Sequence, residues 1–192
     1  MKKIVMTMTV CAVVLALVAP GTLFAQEKKS AAELKKEASR AEINEIAEAT
    51  LQTLFKANSK AKEIYDASYG WAVFDNRKVA LVVSGGGGKG VAVHKETGER
   101  IYMKMGTAGI GLGLGTNKYQ VVFFFQNKTT ATNFIENGWQ ADASATAAAG
   151  TDVAEGKTNF VNGVAIYQLT EKGLMLNADI AGTKYWKDTD LN

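Results

Sequence analysis

The sequence predicts an α+β fold in which N-terminal amphipathic helices pack on a mainly antiparallel, barrel-like β-sheet core with one further helix. Two changes of pattern predict this class. Residues 26–67 repeat apolar side chains at the three- and four-residue spacing of a helix. From residue 70 onward, short β-prone runs alternate with glycine and polar turns. The length of 192 residues, without a tandem repeat, then favours one domain after a leader.

The first 25 residues have the pattern of a secretory signal peptide. Lys2 and Lys3 precede an apolar run over residues 4–19, and Ala25 stands before a polar stretch. Because that run is shorter than the roughly 20 residues that span a bilayer, we expect cleavage and a periplasmic or secreted protein. An uncleaved membrane anchor is the alternative. The only cysteine and the only proline lie in this leader, so the exported chain has no disulfide and no thiol chemistry.

Residues 26–44 form a basic amphipathic helix region ahead of a globular unit over residues 45–192. Ser30 and Glu33 have the spacing of a capping box, and Asn58 is placed to cap a second helix. The polar face of the first helix carries Lys28, Lys29, Lys35, Lys36 and Arg40. Cations beside an apolar stripe are typical of a helix on an anionic membrane surface. The alternative is a helix that packs on the domain with its charges in water.

The remainder of the chain is predicted to be mostly strands with one helix. Strands are expected over residues 71–74, 79–83, 91–94, 101–105, 119–125 and 141–149, with a polar turn at 75–77 and a hairpin turn at 95–99. Residues 129–137 return to helix and Gly138 follows it. A final hairpin joins residues 160–169 to residues 174–180.

Residues 84–90, named here the glycine segment, are predicted to be a loop because they contain Gly85, Gly86, Gly87, Gly88 and Gly90. Their G-x-G-x-x-G spacing lacks the following helix that a dinucleotide site requires, so nucleotide binding is not expected. Lys89 among open backbone amides suits a phosphate-bearing headgroup. The alternative is a wide turn or a place where two chains cross closely.

A second glycine pattern runs along residues 106–115. Gly109, Gly111, Gly113 and Gly115 recur at period two, which places them on one face of a strand. A face without side chains lets another element, an acyl chain or a protein approach the backbone closely.

Composition excludes several functions. With one cysteine, one histidine, no nucleophile motif and no acidic group at metal-ligand spacing, we predict no catalytic site, metal or cofactor. Lys+Arg at 22 against Asp+Glu at 19 is too balanced for a dedicated nucleic-acid binder. A non-enzymatic binding protein is therefore expected.

The motifs from residue 54 onward resemble the SYLF domain family. The matching segments are residues 69–74, 85–91, 106–111, 121–125, Phe134 with Gly138, 141–150, 164–167, 172–174 and 183–186. Their order and spacing hold over roughly residues 45–187. The resemblance implies a lipid-binding module. Eukaryotic relatives bind phosphoinositides through an N-terminal amphipathic segment and basic residues, and some bind actin filaments.

By position, the resemblance assigns lipid binding to the cations of the first helix and to Lys89, with shallow insertion of Leu34. Lys89 stands where relatives often have Arg, and Asp75 stands where they often have Pro. Export would separate the chain from cytosolic phosphoinositides and from actin, so the expected partner is an anionic phospholipid surface. The alternative is an envelope structural or protein-interaction module that uses the glycine-faced strand for docking or assembly.

Overall fold

The computed structural model describes residues 30–80, 83–110, 115–141, 160–175, 180 and 182–192. These residues form helices α1 (Ala31–Ala57), α2 (Ser59–Ala67) and α3 (Lys128–Glu136), and strands β1 (Gly70–Ala80), β2 (Val83–His94), β3 (Arg100–Ile110), β4 (Gly115–Phe125), β5 (Trp139–Gln140), β6 (Val164–Thr170), β7 (Gly173–Met175) and β8 (Thr183–Lys187). The predicted α+β class is confirmed. The leader over residues 1–25, Lys28, Lys29, and nearly all of the strand expected at 141–149 lie outside the described residues.

The first two helices begin at the predicted caps. Ser30 Oγ accepts a hydrogen bond from the Glu33 N–H at 3.2 Å. Asn58 ends α1 and caps α2, where its Oδ1 accepts from the Ala61 N–H at 3.2 Å. Each cap satisfies a backbone donor that the first turn of a helix leaves without a partner.

The eight strands form one antiparallel, curled sheet in the order β5-β8-β3-β2-β1-β4-β6-β7. The predicted hairpins are present, with Val91 of β2 opposite Tyr102 of β3 and Leu169 of β6 opposite Leu174 of β7. The chain passes from β3 to β4 across β2 and β1. Strands that follow one another in sequence are therefore not always neighbours in the sheet.

Side-chain alternation gives the sheet two faces, each with its own apolar core. We call the side beneath α1 and α2 the helix face and the side against α3 the opposite face. The helix-face core includes Leu51, Leu54, Trp71, Val73, Val91, Val122 and Phe124. The opposite-face core includes Phe74, Met103, Phe123, Phe125, Phe134 and Tyr185. Burying a large apolar side chain stabilises the fold by roughly 1.5–3 kcal/mol, so both layers hold the sheet.

The polar turn predicted at residues 75–77 is wrong. These residues continue β1, where Asp75 is paired with Lys89 of β2 and with Gln120 of β4. Pairing on both sides satisfies the backbone of β1, so its polar side chains do not end the strand. Asp75 and Arg77 therefore continue the helix face beyond Val73, while Asn76 is buried on the opposite side.

The glycine segment is not a loop. It lies within β2, between β1 and β3. A Cβ atom at Gly88 would overlap Asn76 Oδ1 and the Asp75 carbonyl, and a Cβ atom at Gly90 would overlap the Val73 carbonyl and the Phe74 ring. The two alternatives, a wide turn or a close crossing of chains, are not what the structure has either, because the segment is a paired strand that lies close against β1 at these two positions. Glycine is required there because neighbouring groups of β1 occupy the space of a side chain.

The single glycine-faced strand predicted over residues 109–115 is also wrong. Gly109 lies near the end of β3, opposite Ser84 of β2. Gly115 begins β4, opposite Ala80 of β1. Since β2 and β1 separate β3 from β4, these two glycines do not share a strand face. Gly111 and Gly113 lie outside the described residues.

Candidate functional site

A cleft of about 200 Å³ lies between α1 and the middle of strands β1 and β2. Its α1 wall is formed by Ser39, Glu42, Ile43, Ile46 and Ala47, and its floor by Val73, Asp75, Arg77, Gly87, Gly88 and Lys89. Three- and four-residue spacing brings the α1 residues to one side of the helix. The cleft is smaller than the roughly 300 Å³ at which pockets for drug-sized ligands begin. It is therefore too small to enclose a drug-sized ligand.

The cleft is open because neighbouring strands lack side chains beside it. A Cβ atom at Gly85 would meet nothing within 4 Å, and one at Gly87 would meet only the Met105 carbonyl at 3.5 Å. Gly106 of β3 is directly opposite Gly87. Gly85 and Gly87 are thus open backbone on the helix face, whereas the Trp186 ring lies against Gly106. We call these three glycines the glycine patch. This two-strand patch replaces the single glycine-faced strand expected from sequence.

Basic side chains lie around the glycine patch. In β2 and β3, Lys89 and Lys104 are directly opposite each other. In β1 and β4, Arg77 is opposite Lys118. The period of two puts these four residues on the helix face, with Arg77 and Lys89 exposed. The region beyond the apolar core is therefore a cationic surface.

One carboxylate on this surface already has partners. Gln120 Nε2 donates to Asp75 Oδ1 at 2.6 Å, and Lys118 Nζ lies 3.8 Å from Asp75 Oδ2. Because Lys118 compensates the charge of Asp75, Arg77 and Lys89 are the cleft cations placed to meet an incoming anion.

An exposed tryptophan borders the glycine patch. Trp186 of β8 is opposite Lys104 of β3 and is 39% exposed. A Cβ atom at Gly106 would meet the Trp186 ring at 3.2 Å, so the indole lies against that glycine. Tryptophan beside cations suits the boundary between water and lipid, since its ring is apolar and its N–H is polar.

Among the predicted cations of the first helix, one contacts the domain and another is exposed to solvent. Arg40 is held on the domain, because its Nε donates to the Leu191 carbonyl at 2.7 Å and its guanidinium lies 5.5 Å from the Tyr102 ring. Lys35 is exposed, as is Leu34 at 55%. Burial of α1 begins only at Ile43. The helix therefore packs on the domain along most of its length and presents its first turns to solvent.

Asp190, near the end of the chain, is paired with Lys104 of β3 and is affected by the charges of Lys36 and Lys89. Lys104 Nζ lies 2.9 Å from Asp188 Oδ1 and 2.8 Å from Asp190 Oδ2. The hydrogen bond from Lys104 lowers the pKa of Asp190, and the charges of Lys36 and Lys89 lower it further. The hydrogen bonds to Asp190 and then to Asp188 raise the pKa of Lys104.

Sequence reasoning found Lys36 and Lys89 but missed Arg77, Gly106 and Trp186. Arg77 was assigned to a turn, although the period of two that starts at Trp71 also reaches it. Gly106 and Trp186 lie at the site only because β3 pairs with β2 and β8. The residues next to them in sequence do not indicate this pairing.

Within the described ranges, no group of three or more histidine, cysteine, aspartate or glutamate side chains is placed to hold a metal ion. Among the same residues, no helix has the length and apolar character needed to cross a membrane.

Fold and cleft together define a small α+β domain with an open cleft beside cations. Residues 106–192 match the family model described as Las17-binding protein actin regulator (Ysc84). A curated relative, Beta cell expansion factor A from Aeromonas veronii, is 44% identical over 152 residues, which are 79% of this chain and 58% of that protein. The chain is similar to this family model over residues 106–192 and to this relative, which confirms the resemblance to the SYLF domain family. It spans a little over half the length of this relative, and neither matched name denotes an enzyme.

Proposed function

We propose that this chain is an exported, non-enzymatic protein, periplasmic or secreted, that binds the surface of anionic phospholipid membranes. The observation that carries the proposal is the cleft, where a helix wall that is apolar except for Ser39 and Glu42 meets cations above glycine backbone. A phospholipid joins an anionic phosphate to apolar chains. Arg77 and Lys89 suit the phosphate, while Ile43 and Ile46 suit the adjacent methylene groups.

The exposed first turns of α1 support the same function. Leu34 and Lys35 lie side by side in solvent, and Lys28 and Lys29 add positive charge just before the helix. A cation near an anionic bilayer contributes about 1 kcal/mol to binding. Shallow insertion of Leu34 adds an apolar contribution that salt does not screen.

Co-sedimentation of the protein with phosphatidylglycerol vesicles at low salt tests the proposal, with phosphatidylcholine vesicles for comparison. We expect binding to the anionic vesicles that weakens as salt rises, because ions screen the attraction. Replacing both Arg77 and Lys89 by Gln should weaken binding by about 2 kcal/mol, roughly 30-fold.

The matched control replaces Lys60 and Lys62 of α2 by Gln, which removes the same charge from exposed ion pairs away from the cleft. Failure of the unmodified protein to bind anionic vesicles at low salt would refute the proposal. An equal loss in the two double variants would show that net charge, and not the cleft, governs binding.

A protein partner is the second candidate, favoured by the description of the matched family model as Las17-binding. In this chain the exposed Trp186 against Gly106 is the side chain best placed for docking. Association through this surface should persist as salt rises and appear as larger species in light scattering. Trp186→Ala should then abolish those species while leaving electrostatic binding to vesicles largely intact.

A further inference from the structure

The carboxylate of Asp190 contacts one lysine, and the charges of two further lysines act on it. Lys36 comes from α1, Lys89 from β2 and Lys104 from β3, and we call these three residues the cation cluster. Lys89 and Lys104 are cross-strand partners, so their Cβ atoms are about 5 Å apart. Like charges placed directly opposite each other repel, and an anion between them relieves that repulsion.

The two aspartates beside Lys104 differ in their surroundings. Asp188 is 1% exposed, and its Oδ1 accepts both from Lys104 and from the Asp190 N–H at 3.0 Å. Asp190 is 80% exposed and reaches Lys104 through Oδ2. Asp188 is thus a fixed part of the fold, whereas the Asp190 side chain can leave Lys104 without exposing a buried group.

The backbone around Asp190 is anchored independently of that side chain. Leu191 is buried in the helix-face core, and its carbonyl accepts from Arg40 at 2.7 Å. Asn192 donates to the Tyr102 carbonyl at 2.8 Å and accepts from the Tyr102 N–H at 2.9 Å. Rotation of the Asp190 side chain therefore needs no rearrangement of the chain.

We propose that Asp190 is a built-in competitor for the cation cluster, and that a phosphate group displaces its carboxylate from Lys104, the member of the cluster that it contacts. With Asp190 in place, Lys104 contacts two carboxylates. With Asp190 turned away, Lys104 contacts Asp188 alone, and the positive charge released at Lys104 beside its cross-strand partner Lys89 attracts a phosphate. The inference rests on the proposed membrane function, since it names the internal group that limits anion binding on the same face. The phosphate can come from a lipid headgroup or from solution.

Asp190→Asn tests the proposal in the full chain. The matched control is Glu136→Gln, which removes one carboxylate from an exposed pair with Lys187 at 3.0 Å on the opposite face. We expect Asp190→Asn to bind phosphatidylglycerol vesicles about threefold to fivefold more tightly, the size of one surface ion pair. Glu136→Gln should change binding less than twofold. Thermal unfolding of both variants should stay close to that of the unmodified protein.

A second experiment measures the affinity of the protein for inorganic phosphate by calorimetry. It distinguishes binding of phosphate in solution from binding of a lipid headgroup. Tighter phosphate binding by Asp190→Asn supports the site for phosphate in solution, even when no form of the protein binds vesicles and the membrane function fails. If the unmodified protein binds vesicles and the two variants change vesicle affinity equally, the role of Asp190 as a competitor is refuted. The proposed membrane function is then unaffected. Absence of both vesicle and phosphate binding in every form overturns both proposals.

Discussion

Gly90→Ala is expected to be strongly destabilising because of the contacts inside the sheet. A Cβ atom at this position would overlap the Val73 carbonyl and the Phe74 ring. The carbonyl belongs to the paired β1 backbone, so it cannot move without disturbing the β1–β2 ladder. The Phe74 ring is fully buried and lies 4.7 Å from Tyr185 and 5.8 Å from Phe123, both edge to face.

The cost follows from these contacts. Overpacking a core with one methyl group costs about 1–3 kcal/mol, and each aromatic pair that the displaced Phe74 ring weakens is worth about 0.5–1.5 kcal/mol. We therefore expect Gly90→Ala to lower the free energy of unfolding by about 2–4 kcal/mol. At roughly 2–4 °C per kcal/mol for a chain of this size, the Tm should fall by about 5–15 °C.

Gly85→Ala is the matched control in the same strand. Its Cβ would meet nothing within 4 Å, and alanine in a strand is better than glycine by roughly 0.5–1 kcal/mol. Urea unfolding followed by circular dichroism should place Gly85→Ala at or slightly above the unmodified protein and Gly90→Ala well below it. Equal stability of the two variants would refute the assignment of the glycine segment to a paired strand.

Three further outcomes concern stability. Lys95→Met should cost about 1–2 kcal/mol in urea unfolding, because Lys95 Nζ donates to three carbonyls at the end of α2 at 2.6, 3.1 and 3.0 Å; an unchanged midpoint would contradict this capping role. Leu54→Ala, at a side chain that is 0% exposed, should cost about 2–5 kcal/mol, whereas a loss below that range would mean that the cavity collapses. Burial raises the pKa of Tyr167 to about 12, so the folded chain keeps this proton while the unfolded chain loses it near pH 10. Stability should therefore fall as the pH rises from about 10 to 12, and Tyr167→Phe should make that fall shallower; an identical alkaline profile would contradict the raised pKa.

Local features of the fold were predictable from sequence because their causes lie within a few residues. Ser30 and Asn58 cap helices through backbone groups three positions away. The hairpin turn at residues 95–99 separates two strands that pair with each other. Continuous β1 was missed because Asp75, Asn76 and Arg77 favour a turn locally, whereas the strands β2 and β4 that pair with them lie farther along the chain.

The candidate site was predictable only in part. Lys89 was found because it stands in a motif, and Lys36 because it follows a helical pattern. Asp190 was not found, since it meets Lys104 only through the pairing of β3 with β8, and the charges of Lys36 and Lys89 act on it only in the folded chain. Arg40 had the same sequence signal as Lys36, yet its contact with the Leu191 carbonyl ties it to the domain.

The glycines show most clearly where local information ends. Composition and spacing were sufficient to mark residues 84–90 as important and to place the chain in its fold class. The tertiary structure separates Gly88 and Gly90, which admit the side chains of Asn76 and Phe74, from Gly85 and Gly87, which leave the backbone open. The physical reason is that strand register and the sheet face determine what a Cβ atom would meet, and both depend on residues far away in the chain.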